Sequence, residues 1–279
     1  MFLDVESVVK HWRDNLAKRV DENPRSPSLA VILVGDISAS KVYEKTKEKV
    51  ASECHISTTT YHLPNDVSTA EFNQALVDAH ELFDAVMVQL PLPNHLDVLT
   101  IYQHISPVKD ADGFHPNNIG KLALGDEEHS LIPCTPLGII KLLDNLNYQI
   151  EGQNVVIVGR SSIVGKPMSM LFVNRGATVT MCNSRTKNLK EITHTADILV
   201  CAVGKERLIT ADMIKPNSIV IDVGINRNKD GKICGDVDPE CAEIATVTPV
   251  PKGVGLLTTY MLMENTLKSY NMQHNIKIA

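Results

Sequence analysis

The run Leu29-Ala30-Val31-Ile32-Leu33-Val34, closed by Gly35, constrains the fold more than any other stretch of this chain. It is continuously apolar rather than alternating, so as a strand it must be covered on both faces, the condition of a parallel sheet between helices. Before it, Val5, Val8, Val9, Trp12, Leu16 and Val20 recur at helical spacing up to the Asn23-Pro24-Arg25-Ser26-Pro27 break. After it the pattern predicts a helix from about Ser38 to Ser52, a strand near Thr58 to His62, a helix from Ser68 and a strand from Ala85 to Leu90. Such βαβα order predicts a parallel sheet flanked by helices. A second unit of the same kind opens near Asn154, with strands expected at 155–158, 178–182, 197–203 and 218–223 and a short one near 245–248. The helix beginning around Cys134 is the expected crossing between the two, and the apolar segment from Leu257 to about Tyr270 is expected to fold back onto the first. A length of 279 residues suits two domains of roughly 100 to 150 residues each.

Composition removes several function classes. The 33 acidic and 27 basic side chains leave a formal charge of −6, so no broad cationic field exists to hold a nucleic-acid backbone. The longest apolar runs fall far short of the roughly 20 residues of a membrane-spanning helix. The sequence Met1-Phe2-Leu3-Asp4-Val5-Glu6 lacks a basic region followed by an apolar one, which is not the pattern of a signal peptide, and a cytoplasmic location is expected. Cys54, Cys134, Cys182, Cys201, Cys234 and Cys241 include no CxxC pair, so neither a metal site nor a disulfide framework is expected.

Gly159-Arg160-Ser161-Ser162-Ile163-Val164-Gly165 follows a strand and precedes a helix with Pro167 near its start. Backbone N–H groups and the positive dipole end of such a helix stabilise a pyrophosphate. The spacing departs from GxGxxG, since Ser161 and Val164 occupy the later glycine positions and Gly165 follows one residue late. A tight structural loop therefore stands beside the nucleotide reading. About 20 residues on, the next strand ends in Asn183-Ser184-Arg185-Thr186. An NAD site commonly has an acid there; a hydroxyl and a guanidinium suit an added phosphate, so Arg160 and Arg185 favour NADP, unless both are simply solvated surface arginines.

In the helix after the first strand, Ala39, Val42, Tyr43, Thr46 and Val50 form one apolar stripe, with Lys47 at its edge and Lys41, Lys45 and Glu48 on the other side. Lys47 is thus either a desolvated functional amine or a snorkelling lysine whose stem covers the core. Gln89 sits at the carboxyl end of a parallel strand, where ligands gather in open α/β sheets, though a polar strand cap would look the same. Lys109-Asp110-Ala111-Asp112-Gly113-Phe114 places two acids in a glycine turn, a candidate site or an ordinary Asx turn.

Taken together, these motifs resemble one family along nearly the whole chain, the bifunctional methylenetetrahydrofolate dehydrogenase/methenyltetrahydrofolate cyclohydrolases. The resemblance rests on Val34-Gly35-Asp36 with Ser40, Tyr43 and Lys47; on Val88-Gln89-Leu90-Pro91-Leu92-Pro93; and on the Lys109 to Phe114 turn. It continues through Pro133-Cys134-Thr135-Pro136, the Gly159 to Gly165 turn and Thr248-Pro249-Val250-Pro251. It implies two α/β domains separated by a cleft, the second a Rossmann-type NADP-binding domain with a parallel sheet, with residues 1–134 plus 257–279 forming the folate-binding catalytic domain and 135–256 the NADP domain. It implies Lys47 as the catalytic lysine, Tyr43 as the residue that packs on the folate, Gln89 as the lysine's partner and Asp112 as the anchor of the pterin ring, with Leu90 and Pro251 beside the substrate. Cofactor contacts fall on Gly159, Arg160, Ser161, Ile163, Gly165, Ser184, Arg185, Ile225 and Thr258. No metal is implied. A homodimer and a place in one-carbon metabolism and purine biosynthesis are further implications. The sequence departs from the family at Lys252, where glycine is usual in a loop lining the folate site, at Asn183, where histidine is common, and at Asp4-Val5, where the family has Asp-Gly.

The implied chemistry is oxidation of methylenetetrahydrofolate to the methenyl cation, then attack by water as a base removes its proton. A lysine with an ordinary pKa of about 10.4 is a poor base near neutral pH; a drop of about two units corresponds to roughly 3 kcal/mol and leaves nearly a tenth of it neutral. Burial and a cationic substrate both act in that direction. A shikimate dehydrogenase-like oxidoreductase, also using lysine and aspartate, and a non-catalytic NADP- or folate-binding protein are the competing expectations. Folate-dependent turnover separates the three.

Overall fold

The computed structural model describes residues 1–35 and 38–276, with the side chains of 38–44 excepted; Tyr43, Ser40, Lys41, Ala39 and Val42 are therefore outside the described side chains, and Asp36 lies outside the described residues. The chain divides into two compact units, one of Lys10–Cys134 with Thr259–Ala279, the other of Met1–Val9 with Thr135–Thr258.

In the first unit, helix α1 (Val5–Asp21) leads to strand β1 (Ser28–Val34), helix α2 (Ser38–Glu53), strand β2 (Ser57–Leu63), helix α3 (Thr69–Leu82) and strand β3 (Ala85–Val88). These strands form a parallel sheet in the order β2-β1-β3. The central strand β1 is the apolar run of the sequence, and its residues from Leu29 to Val34 are all buried. Ala30, Ile32 and Val34 share one cluster with Phe72, Leu76 and Ala79 of α3, each large side chain contributing about 1.5–3 kcal/mol by leaving water. Ser68 starts α3 with a capping box: its hydroxyl accepts the Glu71 N–H while Glu71 returns to the Ser68 N–H. Strand β3 ends two residues before the expected Leu90. Gln89 still donates its N–H to the Ile32 carbonyl at 2.9 Å, but Pro91 and Pro93 have no N–H to continue the ladder. Short helices α4 (Ile101–His104) and α5 (Pro116–Ala123) follow. Between them residues 109–111 run beside β3, with Val86 donating to Lys109 and Ala111 to Val86.

Helix α6 (Cys134–Asn145) begins at the division between the units. The second unit holds β4 (Asn154–Val158), α7 (Gly165–Asn174), β5 (Thr178–Cys182), α8 (Leu189–Thr193), β6 (Ile198–Cys201), β7 (Ile219–Asp222), the antiparallel hairpin β8 (Asn226–Arg227) and β9 (Ile233–Cys234), and β10 (Thr246–Val247). Its main sheet is parallel, in the order β10-β7-β6-β4-β5. Strands β6 and β7 are shorter than the expected 197–203 and 218–223. Past each end one more N–H still reaches the neighbouring strand, Ala202 to Val158 and Val223 to Cys201, both at 2.8 Å; after that the backbone turns to side chains, with the N–H groups of Val203 and Gly204 donating to Asp236 and that of Gly224 to Asp222.

The first nine residues, expected with the rest of 1–134, cluster with the second unit. Leu3 donates its N–H to the Val247 carbonyl and Val247 donates back to Met1, both at 2.9 Å, extending the sheet beside β10. The closing helix α9 (Val254–His274) changes unit after Thr258, two residues later than expected, and its remainder lies with the first unit. There Tyr260 stacks on Trp12 with ring centroids 5.4 Å apart, Glu264 pairs with Arg19 at 2.9 Å, and the Ser269 hydroxyl donates to the Val108 carbonyl at 2.7 Å.

Candidate functional site

Lys47 lies one turn before Val50 on the inward side of α2, and only 7% of it is exposed, whereas Lys45, Glu48 and Lys49 face solvent. Its Nζ donates to Gln89 Oε1 at 2.5 Å and lies 3.6 Å from Met87 Sδ. Met87 and Gln89 are two residues apart and so share one side of the extended chain, which is why one amine reaches both. The Gln89 amide is oriented from behind by its own Nε2, which donates to the Leu90 carbonyl at 2.9 Å. These bonds replace the snorkelling alternative: the ammonium end, not only the stem, is buried.

The turn carrying Asp110 and Asp112 reaches this place because residues 109–111 pair with β3. Gly113, at φ +77°, lies against the backbone of Ile132 and Pro133; a Cβ there would stand 2.5 Å from the Ile132 carbonyl carbon. Asn265 of α9 holds the same two segments, donating Nδ2 to the carbonyls of Ala111 and Ile132 at 2.8 Å each. Burial pushes the Asp110 carboxyl up to about 6, against the stabilising N–H groups of Asp112 to His115. Asp112 is raised too, by burial first and by the charge of Asp110 second, with Lys47 opposing. Lys47, Gln89 and Asp112 are thus brought together within this unit, with the Asp110 carboxyl close enough to act on Asp112. Cys134 is adjacent, but burial, then Asp112 and Asp110, hold its thiol well above the ordinary value, so it is no nucleophile.

In the second unit, Gly159 (φ +128°) and Gly165 close the turn between β4 and α7. A Cβ on Gly159 would overlap the Ala202 carbonyl, and one on Gly165 would overlap the carbonyl of Gly159. Both glycines are needed for close backbone approach although the spacing is not GxGxxG. Ser161 Oγ accepts from the N–H groups of Val164 and Gly165 at 3.1 and 3.4 Å, shaping the entry to α7. Arg160, Ser161 and Ile163 are exposed along the turn. Ser184 and Arg185 are exposed after β5, in a turn where Asn183 Oδ1 accepts the Arg185 N–H at 3.0 Å and the Asn183 N–H donates to Thr186 Oγ1 at 2.8 Å. The departure at Asn183 therefore has a local role in aiming Arg185. No carboxylate occupies this turn, so the residues present fit a dinucleotide with an extra phosphate on its ribose. Ile225 is exposed after β7, and Thr258 Oγ1 lies 2.7 Å from Thr135 Oγ1. Pro251 is exposed in this unit, and Lys252 next to it adopts φ +73° and pairs with Glu6 at 2.9 Å. That left-handed conformation is the physical reason glycine suits position 252.

Sequence reasoning passed over Met87, Asn265 and the buried pair Asp222 and Asp236. The last two had a readable signal, an aspartate beside a glycine in Asp222-Val223-Gly224 and in Gly235-Asp236.

Comparison with known proteins places the whole chain among its relatives. Residues 3–112 match the model of the tetrahydrofolate dehydrogenase/cyclohydrolase catalytic domain, and residues 133–274 that of the tetrahydrofolate dehydrogenase/cyclohydrolase NAD(P)-binding domain. A bifunctional protein FolD of Anoxybacillus flavithermus is 45% identical over 274 residues, 96% of each chain. The crystal structure of the bifunctional FolD methylenetetrahydrofolate dehydrogenase/cyclohydrolase of Campylobacter jejuni is 41% identical with a TM-score of 0.92, covering 98% of this chain and 99% of that one. The methylenetetrahydrofolate dehydrogenase-cyclohydrolase of Trypanosoma brucei, solved with NADP cofactor and an inhibitor, is 32% identical with a TM-score of 0.92, covering 98% of both.

Proposed function

This chain belongs to the tetrahydrofolate dehydrogenase/cyclohydrolase family, and from that premise we propose that it oxidises methylenetetrahydrofolate to methenyltetrahydrofolate with NADP and hydrolyses the product to 10-formyltetrahydrofolate. The observation that carries the reading is the buried Lys47 amine, hydrogen-bonded to the neutral amide of Gln89 and within the field of Asp112. NADP, when bound, supplies the hydride acceptor.

Lys47 accepts, at Nζ, the proton of the water that attacks the methenyl carbon. The positive charge of the methenyl group, forming beside this amine, favours the neutral amine as the intermediate forms. Gln89 orients the amine through Oε1 whether the amine carries two or three hydrogens. Asp112 binds the pterin ring, and its raised pKa lets it donate or accept there; Leu90 borders the same substrate. Arg160 and Arg185 select the phosphorylated nucleotide, with Gly159, Ser161, Ile163, Gly165, Ser184, Ile225 and Thr258 along the cofactor. The reading includes a homodimer in the cytoplasm, supported by the family resemblance; among the described residues no helix is long and apolar enough to cross a membrane.

A coupled assay tests the function. Methylenetetrahydrofolate with NADP should give NADPH and a transient methenyl absorbance that decays to 10-formyltetrahydrofolate, faster than with NAD. Nucleotide reduction without folate, or none with it, would overturn the proposal.

A further inference from the structure

Asp236 is fully buried, yet it lies in the hairpin strand pair's exit rather than in a hydrophobic layer, and both its oxygens are engaged. Oδ2 accepts the N–H groups of Val203 and Gly204 at 2.7 and 3.1 Å, and Oδ1 accepts the Lys205 N–H at 2.7 Å and Asn226 Nδ2 at 2.9 Å. One carboxylate therefore ties the loop after β6 to the loop after β7. Asp222, at the end of β7, locks the carboxylate's own backbone: its Oδ1 accepts the Asp236 N–H at 2.9 Å and its Oδ2 the Val237 N–H at 3.0 Å. The fit leaves no slack, since a Cβ on Gly224 would overlap the Asp236 carboxylate and one on Gly235 would overlap that of Asp222.

The strand order gives these loops a functional address. In the order β10-β7-β6-β4-β5, the phosphate-cradling turn follows β4 and the Ser184-Arg185 turn follows β5. A dinucleotide laid across the carboxyl ends of such strands puts its two halves on opposite sides of the pyrophosphate. With the phosphorylated ribose at β5, the other half falls on the loops after β6 and β7. Those loops also present apolar side chains to solvent, Val203 at 38% and Ile225 at 53% exposure, a surface suited to one face of a flat ring.

We propose that Asp236 is a positioning residue for the redox half of the dinucleotide: by holding the N–H groups of Val203, Gly204 and Lys205 and the side chain of Asn226, it sets the two loops on which the nicotinamide lies. The inference rests on the NADP-dependent reading above. A carboxylate suits this task because it accepts at every lone pair, whereas an asparagine would turn an NH2 toward backbone N–H donors.

Asp236→Asn and the milder Asn226→Ala, which removes one donor without opposing any N–H, test it on the intact protein. Each is assayed for NADP-dependent oxidation of methylenetetrahydrofolate and, in the same preparation, for hydrolysis of supplied methenyltetrahydrofolate, which needs no nucleotide. The expected result is a rise of about tenfold or more in the NADP KM or a matching fall in dehydrogenase kcat for Asp236→Asn, about threefold for Asn226→Ala, and hydrolysis within about twofold of wild type. Proportional loss of both activities in Asn226→Ala, or unchanged dehydrogenase kinetics in a folded Asp236→Asn, would overturn it. An inactive wild-type protein would instead defeat the functional reading on which it rests.

Discussion

The two aspartates of the folate-side turn show how one residue's surroundings set its chemistry. Asp110, 5% exposed, is raised from 3.8 to about 6 because burial outweighs the N–H groups turned toward it. An acid whose folded pKa lies above its unfolded value destabilises the fold where it is ionised, and that cost disappears as pH falls through the folded pKa toward the unfolded one. The shift corresponds to about 3 kcal/mol. The stability of wild type relative to Asp110→Asn should therefore rise by about that amount between about pH 7 and about pH 4, measured by denaturant unfolding at each pH. A flat difference would mean that Asp110 is not raised. None of this was legible in the sequence, where Asp110 and Asp112 were equally an Asx turn: the distinguishing facts are the pairing of 109–111 with β3 and the Asn265 clamp, both long-range. Lys47 was more legible, because its place on the apolar stripe of α2 already separated it from Lys45 and Lys49.

Elements with a strong period were readable, and those made by tertiary partners were not. Strands β1 and β4 announce themselves as unbroken apolar runs, and α3 by the Ser68–Glu71 box. The ends of β3, β6 and β7 were misjudged because one sheet bond continues past each strand, from Gln89, Ala202 and Val223, before prolines or carboxylates take over the backbone. The hairpin of β8 and β9, two residues per strand, carries no periodic signal; it is organised by Asp222 and Asp236. Helix α5 has a local signature that could have been used, His115 as N-cap with Pro116 in the first turn. For the turn into α7, Gly165→Ala should cost about 1–3 kcal/mol and weaken NADP binding at least about tenfold, because the added Cβ meets the Gly159 carbonyl and spreads the turn. Calorimetric titration with NADP checks this; unchanged affinity would remove the turn from phosphate binding.

Over the whole molecule, the expected chain organisation was visible in the repeated βαβα order, while the assignment of the first nine residues was not, since it rests on long-range bonds such as those among Met1, Leu3 and Val247 and from the Met1 amine to the Ala245 carbonyl. The proposed proton-transfer residues lie in one unit and the proposed nucleotide residues in the other. Two steps of a single reaction sequence should therefore respond separately to mutation: changes near Asp236 act on oxidation, and changes at Lys47 act on hydrolysis without touching the nucleotide-binding residues. The most direct measurement is hydrolysis of methenyltetrahydrofolate by Lys47→Met, with NADP affinity measured on the same sample. The account predicts hydrolysis reduced by at least about a hundredfold and NADP affinity within about twofold of wild type; near-normal hydrolysis would contradict it.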